Sequence, residues 1–309
     1  MGELQEFKAE RLAEKIAEVK LPEASDIEKY EADTQTDHNF RTEDYFIKIE
    51  KYFNQRERTS VEPVVLENID IKASTPELVD YGNINGYIYR IFKFMEGKSL
   101  DEDREQSFED LDEDDQVRRI RQVGKALAEI HESKAFDGFG NIDTVDGEVI
   151  GTSSNEWSEG LKDIQYFWHH YVGGEPFEEI EDDIENYYEE KEEVLNQVEQ
   201  SVLLHQEPGF HNLLFQEDGV SVIDWESAGA GDPLLDVIVT EVILFWFQDL
   251  GEELRENFRE AYVSVREIKF DEELIEVYRL VQLSRLLMIF DDDEDKVESI
   301  RNKIIGILN

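Results

Sequence analysis

The chain has 309 residues, 40% of them hydrophobic, with 76 Asp and Glu against 31 Lys and Arg for a formal net charge of −45, and no cysteine. The apolar content excludes a disordered chain, the missing cysteine excludes disulfides, thiolate zinc sites and cysteine nucleophiles, and the charge balance excludes a basic nucleic-acid surface, which needs clustered Lys and Arg. So acidic a surface repels itself at low ionic strength and is largely screened at about 1 M salt, where the Debye length is about 3 Å. A halophile's cytoplasm is therefore the expected setting. The charged N-terminal segment and the absence of an apolar run of about 18 residues argue against a signal peptide or a membrane span.

In chain order, residues 3–20 read as an amphipathic helix. "YFIKIEKYF" (45–53) and "GYIYRIFKFM" (86–95) read as strands, with a short helix near 60–69 between them. This first third is α+β. The stretch "EGKSLDEDREQSFEDLDEDDQ" is the most polar and marks an interlobe crossing, with regions 1–97 and 98–309 on either side. Beyond it Val117, Ile120, Gly124, Leu127 and His131 recur at helical spacing, as do Ile184, Tyr187, Tyr188, Leu195, Val198 and Val202. The segments starting at Asp232, Glu252, Asp271 and Lys296 give four more helices, so the second region is mainly helical apart from one hairpin.

That hairpin is "LLFQEDGVSVIDWE" (213–226), and "HQEPGFHN" (205–212) opens it. A three-residue loop Glu217-Asp218-Gly219, with Gly in the left-handed position, pairs Gln216 with Val220 and sets Asn212 opposite Asp224, near enough to share one hard cation such as Mg²⁺. A two-residue loop shifts the pairing by one and leaves them diagonal. The bland reading of the stretch is a surface hairpin with polar ends.

Four landmarks follow one another along the chain: "YFIKIE", "KFMEGKSL", "HQEPGFHN" and "VIDWESAGAGDPLLD". In this order they resemble the third-strand lysine, the hinge, the His-Gly-Asp-x-x-x-x-Asn loop and the metal-binding Asp motif of the aminoglycoside phosphotransferase-like kinases, relatives of the protein kinases. The resemblance implies a two-lobed protein-kinase-like α+β fold, with a small N-lobe built on an antiparallel sheet and a larger, mainly helical C-lobe. It implies transfer of the γ-phosphate of ATP, or alternatively GTP, to a small-molecule hydroxyl with Mg²⁺ as the metal.

Under that resemblance Lys48 holds the α and β phosphates, and Glu62 orients it, with Glu67 as rival because Pro63 marks the helix start. Lys93 and Met95 lie in the nucleotide-contacting hinge. Asn212 and Asp224 hold the metal, Glu207 is the base, and His205 and Asp236 support the catalytic loop. His131 and the Trp168-His169-His170 cluster are read as packing.

Two features depart from the family pattern. Gln206-Glu207 stands where Gly-Asp is usual, which lengthens the base by one methylene. The nucleotide-covering segment "EADTQTDHNFRTED" (31–44) has no glycine, leaving Thr34, Thr36 and Asn39 as candidate donors to phosphate. These departures motivate the alternative of a pseudokinase that binds nucleotide or a partner. A metal-dependent hydrolase using Asn212, Asp224 and Glu207 leaves the lysine strand and hinge without a role. The helices that would meet the acceptor carry no readable code.

Overall fold

The computed structural model describes residues 2–21, 27–30, 37–51, 61–101, 107–146, 148–151, 154–167, 175–247, 250–290 and 293–309. Thr34, Thr36 and the Trp168-His169-His170 cluster lie outside them. The elements are α1 (Gly2–Lys20), β1 (Glu28–Lys29), β2 (Asp37–Arg41), β3 (Tyr45–Lys51), α2 (Val61–Asn68), β4 (Leu78–Ile84), β5 (Tyr87–Lys93), α3 (Glu113–His131), β6 (Ala135–Phe136), β7 (Gly140–Val145), β8 (Glu148–Gly151) and α4 (Trp157–Phe167). They continue with α5 (Glu175–Glu178), α6 (Glu181–Glu190), α7 (Glu192–Leu195), β9 (Ser201–Leu204), β10 (Leu213–Phe215), β11 (Val220–Val222), β12 (Gly229–Gly231), α8 (Pro233–Glu241), α9 (Glu252–Val263), α10 (Glu272–Ile289) and α11 (Glu294–Leu308). The two-lobed α+β arrangement expected from the sequence is the one observed.

The N-terminal sheet is antiparallel and runs β1-β2-β3-β5-β4. Alternation in β3 and β5 gives it two unlike faces. Ile47, Ile49, Tyr89 and Ile91 turn toward α1, where they pack with Ala9, Leu12, Ala13 and Ile16. The intervening Lys48 and Arg90 are direct cross-strand partners on the opposite face. The β4–β5 turn is Asn85-Gly86 with φ of 55° and 80°, the left-handed pair that a two-residue hairpin loop needs. Strand β4 was not foreseen, because its half-buried edge sequence "LVDYGNI" lacks a continuous apolar face.

Helix α2 packs through Val61 and Val65 with the larger core formed by α3, α8 and α10. The sequence reading also missed a second sheet, β6-β9-β12-β7-β8, whose strands have two to six residues. Strand β12 is Gly-Ala-Gly because the room is already taken: a Cβ on Gly231 would lie 2.4 Å from the Trp157 ring and one on Gly229 2.5 Å from Gln206 Nε2. Among the described residues no helix is long and apolar enough to cross a membrane.

Part of the acidity has a local use. Asp112, Asp271 and Asp293 cap α3, α10 and α11 through their side chains, and Glu or Asp fills the first turn of each, where negative charge suits the helix dipole. The remaining excess repels. The thermal unfolding midpoint should therefore rise steeply between dilute buffer and about 2 M KCl. Circular dichroism melts across that range test this, and a midpoint indifferent to KCl would remove the inference of adaptation to high salt.

Candidate active site

Asp236, in the first turn of α8 and fully buried, organises the loop that precedes the hairpin. Its Oδ2 accepts from His205 N at 2.7 Å and its Oδ1 from Gln206 N at 2.9 Å. His131, at the end of α3, donates from Nε2 to Asp236 Oδ2 at 3.3 Å, a carboxylate being able only to accept, while its Nδ1 shares a hydrogen bond of 2.7 Å with Tyr262 Oη. His205 is equally satisfied: Nε2 donates to Ile223 O at 2.9 Å, Nδ1 accepts from Glu207 N at 3.3 Å, and the ring meets Trp225 edge-on. Both histidines have the partners of a scaffold.

Burial holds His131 below the ordinary imidazole range, with the Asp236 carboxylate opposing and Arg266 reinforcing the shift. A base depressed in the folded state gives stability that is complete above the unfolded value of about 6.5 and is lost as pH falls below it. Urea unfolding in molar KCl should therefore show a loss of stability that begins near pH 6.5 and steepens below it, bounded by about 1.4 kcal/mol per pH unit, and that is absent in His131→Gln. Identical slopes for the two proteins between about pH 6.5 and 5 would contradict this assignment.

Gln206, where glycine is usual, has φ of +72°. A non-glycine residue held there costs about 1–3 kcal/mol and persists only where its surroundings fix it. Here they do: Arg285 Nη2, buried in α10, donates to Gln206 Oε1 at 2.8 Å, and the side chain occupies the space that Gly229 leaves open. The next residue, Glu207, accepts from Ser227 Oγ at 2.9 Å through Oε2 and takes Asn212 Nδ2 on its carbonyl at 2.9 Å.

The hairpin register differs from the three-residue-loop expectation. Phe215 pairs with Val220, and Gln216 N donates to Gly219 O across a two-residue loop, Glu217-Asp218. Gly219 does not adopt positive φ, so no extra residue is accommodated. Ile223 N donates to Asn212 O, which leaves Asn212 and Asp224 diagonal rather than opposed.

Asp224 is itself left-handed, with φ 66° and ψ 70°, at the point where β11 gives way to the short turn Trp225–Ser227. Its Oδ1 lies 3.2 Å from Lys48 Nζ, which in turn lies 3.5 Å from Glu226 Oε2. Burial works to raise the Asp224 carboxyl, but Lys48 and Arg90 together hold it below the usual range.

Arg90, fully buried, lies 2.8 Å from Glu50, 3.5 Å from Glu62 and 3.8 Å from Glu226. Glu62, the expected orienter of Lys48, pairs with Arg90 and accepts from Trp225 N at 3.0 Å, linking the N-terminal sheet to the metal-motif turn. Burial raises its carboxyl against the pull of Arg90 and Lys48. The same desolvation pushes Glu226 up to about 8, opposed by Lys48 and reinforced by Asp224 and Glu50.

Four carboxylates, those of Glu50, Glu62, Asp224 and Glu226, thus surround two cations, Lys48 and Arg90. Burial favours a proton on Glu226, and a hard cation nearby would favour the charged form instead. Asp224 supplies a carboxylate and Asn212 an amide oxygen, its nitrogen being engaged by Glu207 O. Both would suit a hard divalent cation such as Mg²⁺, whose charge would be set against these carboxyl groups. Among the described residues no group of three or more His, Asp or Glu side chains is disposed to hold a metal.

Other expected residues lie farther out. Glu67 accepts from Tyr81 Oη at 3.2 Å on the exposed side of α2, and Lys93 donates to Glu77 at 2.7 Å on the surface. Met95 is half-buried in the hinge, where Lys98 and Phe215 exchange backbone hydrogen bonds that tie hinge to hairpin. Asn39 is buried in β2 opposite Lys48.

Sequence reasoning missed Arg90, Glu226, Ser227 and Arg285. Arg90 carried a readable signal, since it interrupts the apolar run "YIYRIF" as Lys48 interrupts "YFIKI", and Arg285 interrupts "VQLSRLLMIF" likewise. Ser227 and Glu226 follow Asp224 directly, but their partners come from other segments.

The fold recurs in known proteins. The structure superposes on aminoglycoside phosphotransferase APH(4)-Ia with a TM-score of 0.68 at 16% identity, covering 97% of this chain and 98% of the other. It superposes on choline kinase LicA from Streptococcus pneumoniae with 0.64 at 14% identity, covering 98% and 99%. A thermostable mutant of the former, in a ternary complex with ADP and hygromycin B, matches with 0.67 at 16% identity, covering 96% and 97%. No curated protein sequence gives a match. The family model described as "Phosphotransferase enzyme family" matches residues 64–274, more than half of the chain and including the loop 205–212, the hairpin and Asp236. The chain belongs to the phosphotransferase enzyme family.

Proposed function

We propose that the protein transfers the γ-phosphoryl group of ATP, with GTP as the alternative donor, to a hydroxyl group of a small molecule in the presence of Mg²⁺. The observation that carries this reading is the Lys48–Asp224 pair at 3.2 Å, which joins residues 176 positions apart at the mouth of a hairpin whose other strand begins beside Asn212. Lys48 is buried to 8% exposure and paired with Asp224 and Glu226, which sets its ammonium group beside a residue that would hold the metal. The ADP-bound neighbour supports nucleotide binding, and the hygromycin B complex and the choline kinase support a small-molecule acceptor.

Lys48 would bind the phosphates of the donor, where its charge is held in place by Asp224 and Glu226. Asn212 and Asp224 would hold Mg²⁺, which when bound supplies neutralisation of phosphate charge. The acceptor oxygen forms a bond to the γ-phosphorus, the bond from phosphorus to the β–γ bridging oxygen breaks, and Glu207 accepts the hydroxyl proton. Asp236 and His205 keep the loop in place and take no proton. Arg90 and Glu62 hold the lysine strand against the turn carrying Asp224.

The test is transfer from γ-labelled ATP to a panel of amino alcohols, aminoglycosides and sugars in molar KCl. Acceptor-dependent labelled product is expected. Failure of every acceptor, together with no Mg²⁺-dependent nucleotide binding, would overturn the reading.

A further inference from the structure

We propose that Ser227 is a positioning residue for the Glu207 carboxylate and offsets the extra methylene by which this base exceeds an aspartate. The inference rests on Glu207 being the base. Ser227 Oγ donates to Glu207 Oε2 at 2.9 Å, and the serine is only 5% exposed. It closes the turn Trp225–Ser227, which is fixed at several points: Trp225 N on Glu62 Oε1, Trp225 Nε1 on Val222 O, and Ala228 N on Trp225 O. The hydroxyl is thus delivered by the same rigid turn that sets Asp224.

The main chain of Glu207 is held independently, its N by His205 Nδ1 and its O by Asn212 Nδ2. Only the side chain is left to arrange. A glutamate has one more rotatable bond than an aspartate, and an untethered carboxylate would spread over several rotamers. The bond at Oε2 selects one and leaves Oε1 to take the acceptor's proton. An aspartate at this position would stop short of Ser227 by about one C–C bond, or about 1.5 Å. Glutamate and serine therefore work as a pair.

The experiment reads single-turnover release of labelled phosphate from MgATP in molar KCl, with water as the acceptor. Water oxygen bonds to the γ-phosphorus, the bond to the bridging oxygen breaks, ADP leaves, and Glu207 takes the water proton. The proteins are wild type, Ser227→Ala, Ser227→Thr, Glu207→Gln, Glu207→Asp and the Ser227→Ala combinations with each Glu207 variant, all checked for folding by thermal melts.

Ser227→Ala should lower the rate between about 10- and 100-fold, the scale of a misplacement of about 1 Å, with the half-saturating ATP concentration within about twofold of wild type. Ser227→Thr, which keeps the hydroxyl, should restore most of the rate. Added to Glu207→Gln or Glu207→Asp, Ser227→Ala should change nothing further, because the side chain it positions is already altered.

A wild-type rate in Ser227→Ala, or an equal loss on top of Glu207→Gln, overturns the positioning role while leaving Glu207 as base. No loss of rate in Glu207→Gln, or wild-type release no faster than that of Asp224→Asn, instead overturns the reading beneath it. If Ser227→Ala does not fold, the comparison of Ser227→Thr with Glu207→Asp decides: an active threonine variant and an impaired aspartate variant support the pair, and the reverse order refutes it.

Discussion

Glu207→Gln is expected to lower kcat by about 10²-fold or more, the scale of general acid–base catalysis, and to leave nucleotide affinity within about twofold. The substitution keeps the shape of the side chain, and Ser227 Oγ can donate to an amide oxygen as it does to Oε2. The backbone contacts of Glu207 to His205 and Asn212 do not involve the carboxylate and should persist. Lys48 and Asp224 are untouched. What is lost is the capacity to accept a proton, so the deficit belongs in the chemical step. Single-turnover transfer to an identified acceptor measures it, and full activity in the variant would send the search to another carboxylate. Glu207→Asp is expected to be impaired as well, since the loop is built around the longer side chain.

The residues that were legible in the sequence include those whose chemistry conflicts with their local pattern. Lys48 and Asp224 stand in apolar runs, where a buried charge needs a partner, while Asp236 was placed by the motif order and His131 by helical spacing. Their order along the chain then carried the fold. The helices of the C-lobe were readable because apolar residues recur at helical spacing over two or more turns.

What escaped depends on pairing across distance or on segments too short to show a period. Strands β6, β9 and β12 have two to four residues, and β12 contains only Gly and Ala, fewer than any alternation needs. The register slip at the hairpin turned on whether Gly219 takes positive φ, which its identity permits but does not require. Glu62 was visible as an acid at the start of the helix after the lysine strand, whereas its sharing with Arg90 came from the β3–β5 register, which sets Arg90 beside Lys48. The departures at Gln206 and Glu207 read as defects because their compensations, Arg285 and Ser227, lie 79 and 20 residues away.

Asp224→Asn is expected to weaken Mg²⁺-dependent binding of an ATP analogue by about 10²-fold or more, since it removes a charged ligand itself, and loss of residues that merely support metal ligands already costs about 10–100-fold. Affinity without Mg²⁺ should change little, because Lys48 remains in place with Glu226 3.5 Å away. The substitution suits the backbone: Asp224 has φ of 66°, and Asn tolerates the left-handed region as readily as Asp, so the turn to Trp225 should be preserved. It also takes from the metal-free protein a carboxylate that Lys48 and Arg90 favour in its charged form, a loss that Glu226, 3.5 Å from Lys48, offsets in part. A variant folded as well as wild type, yet unable to couple nucleotide to Mg²⁺, separates a ligand from a structural aspartate. Calorimetric titration with a non-hydrolysable ATP analogue in molar KCl, with and without Mg²⁺, makes the measurement. Equal Mg²⁺-dependent affinities in the two proteins would remove Asp224 from the metal site, and a melting midpoint that collapses in the variant would make its role that of holding Lys48 in the fold.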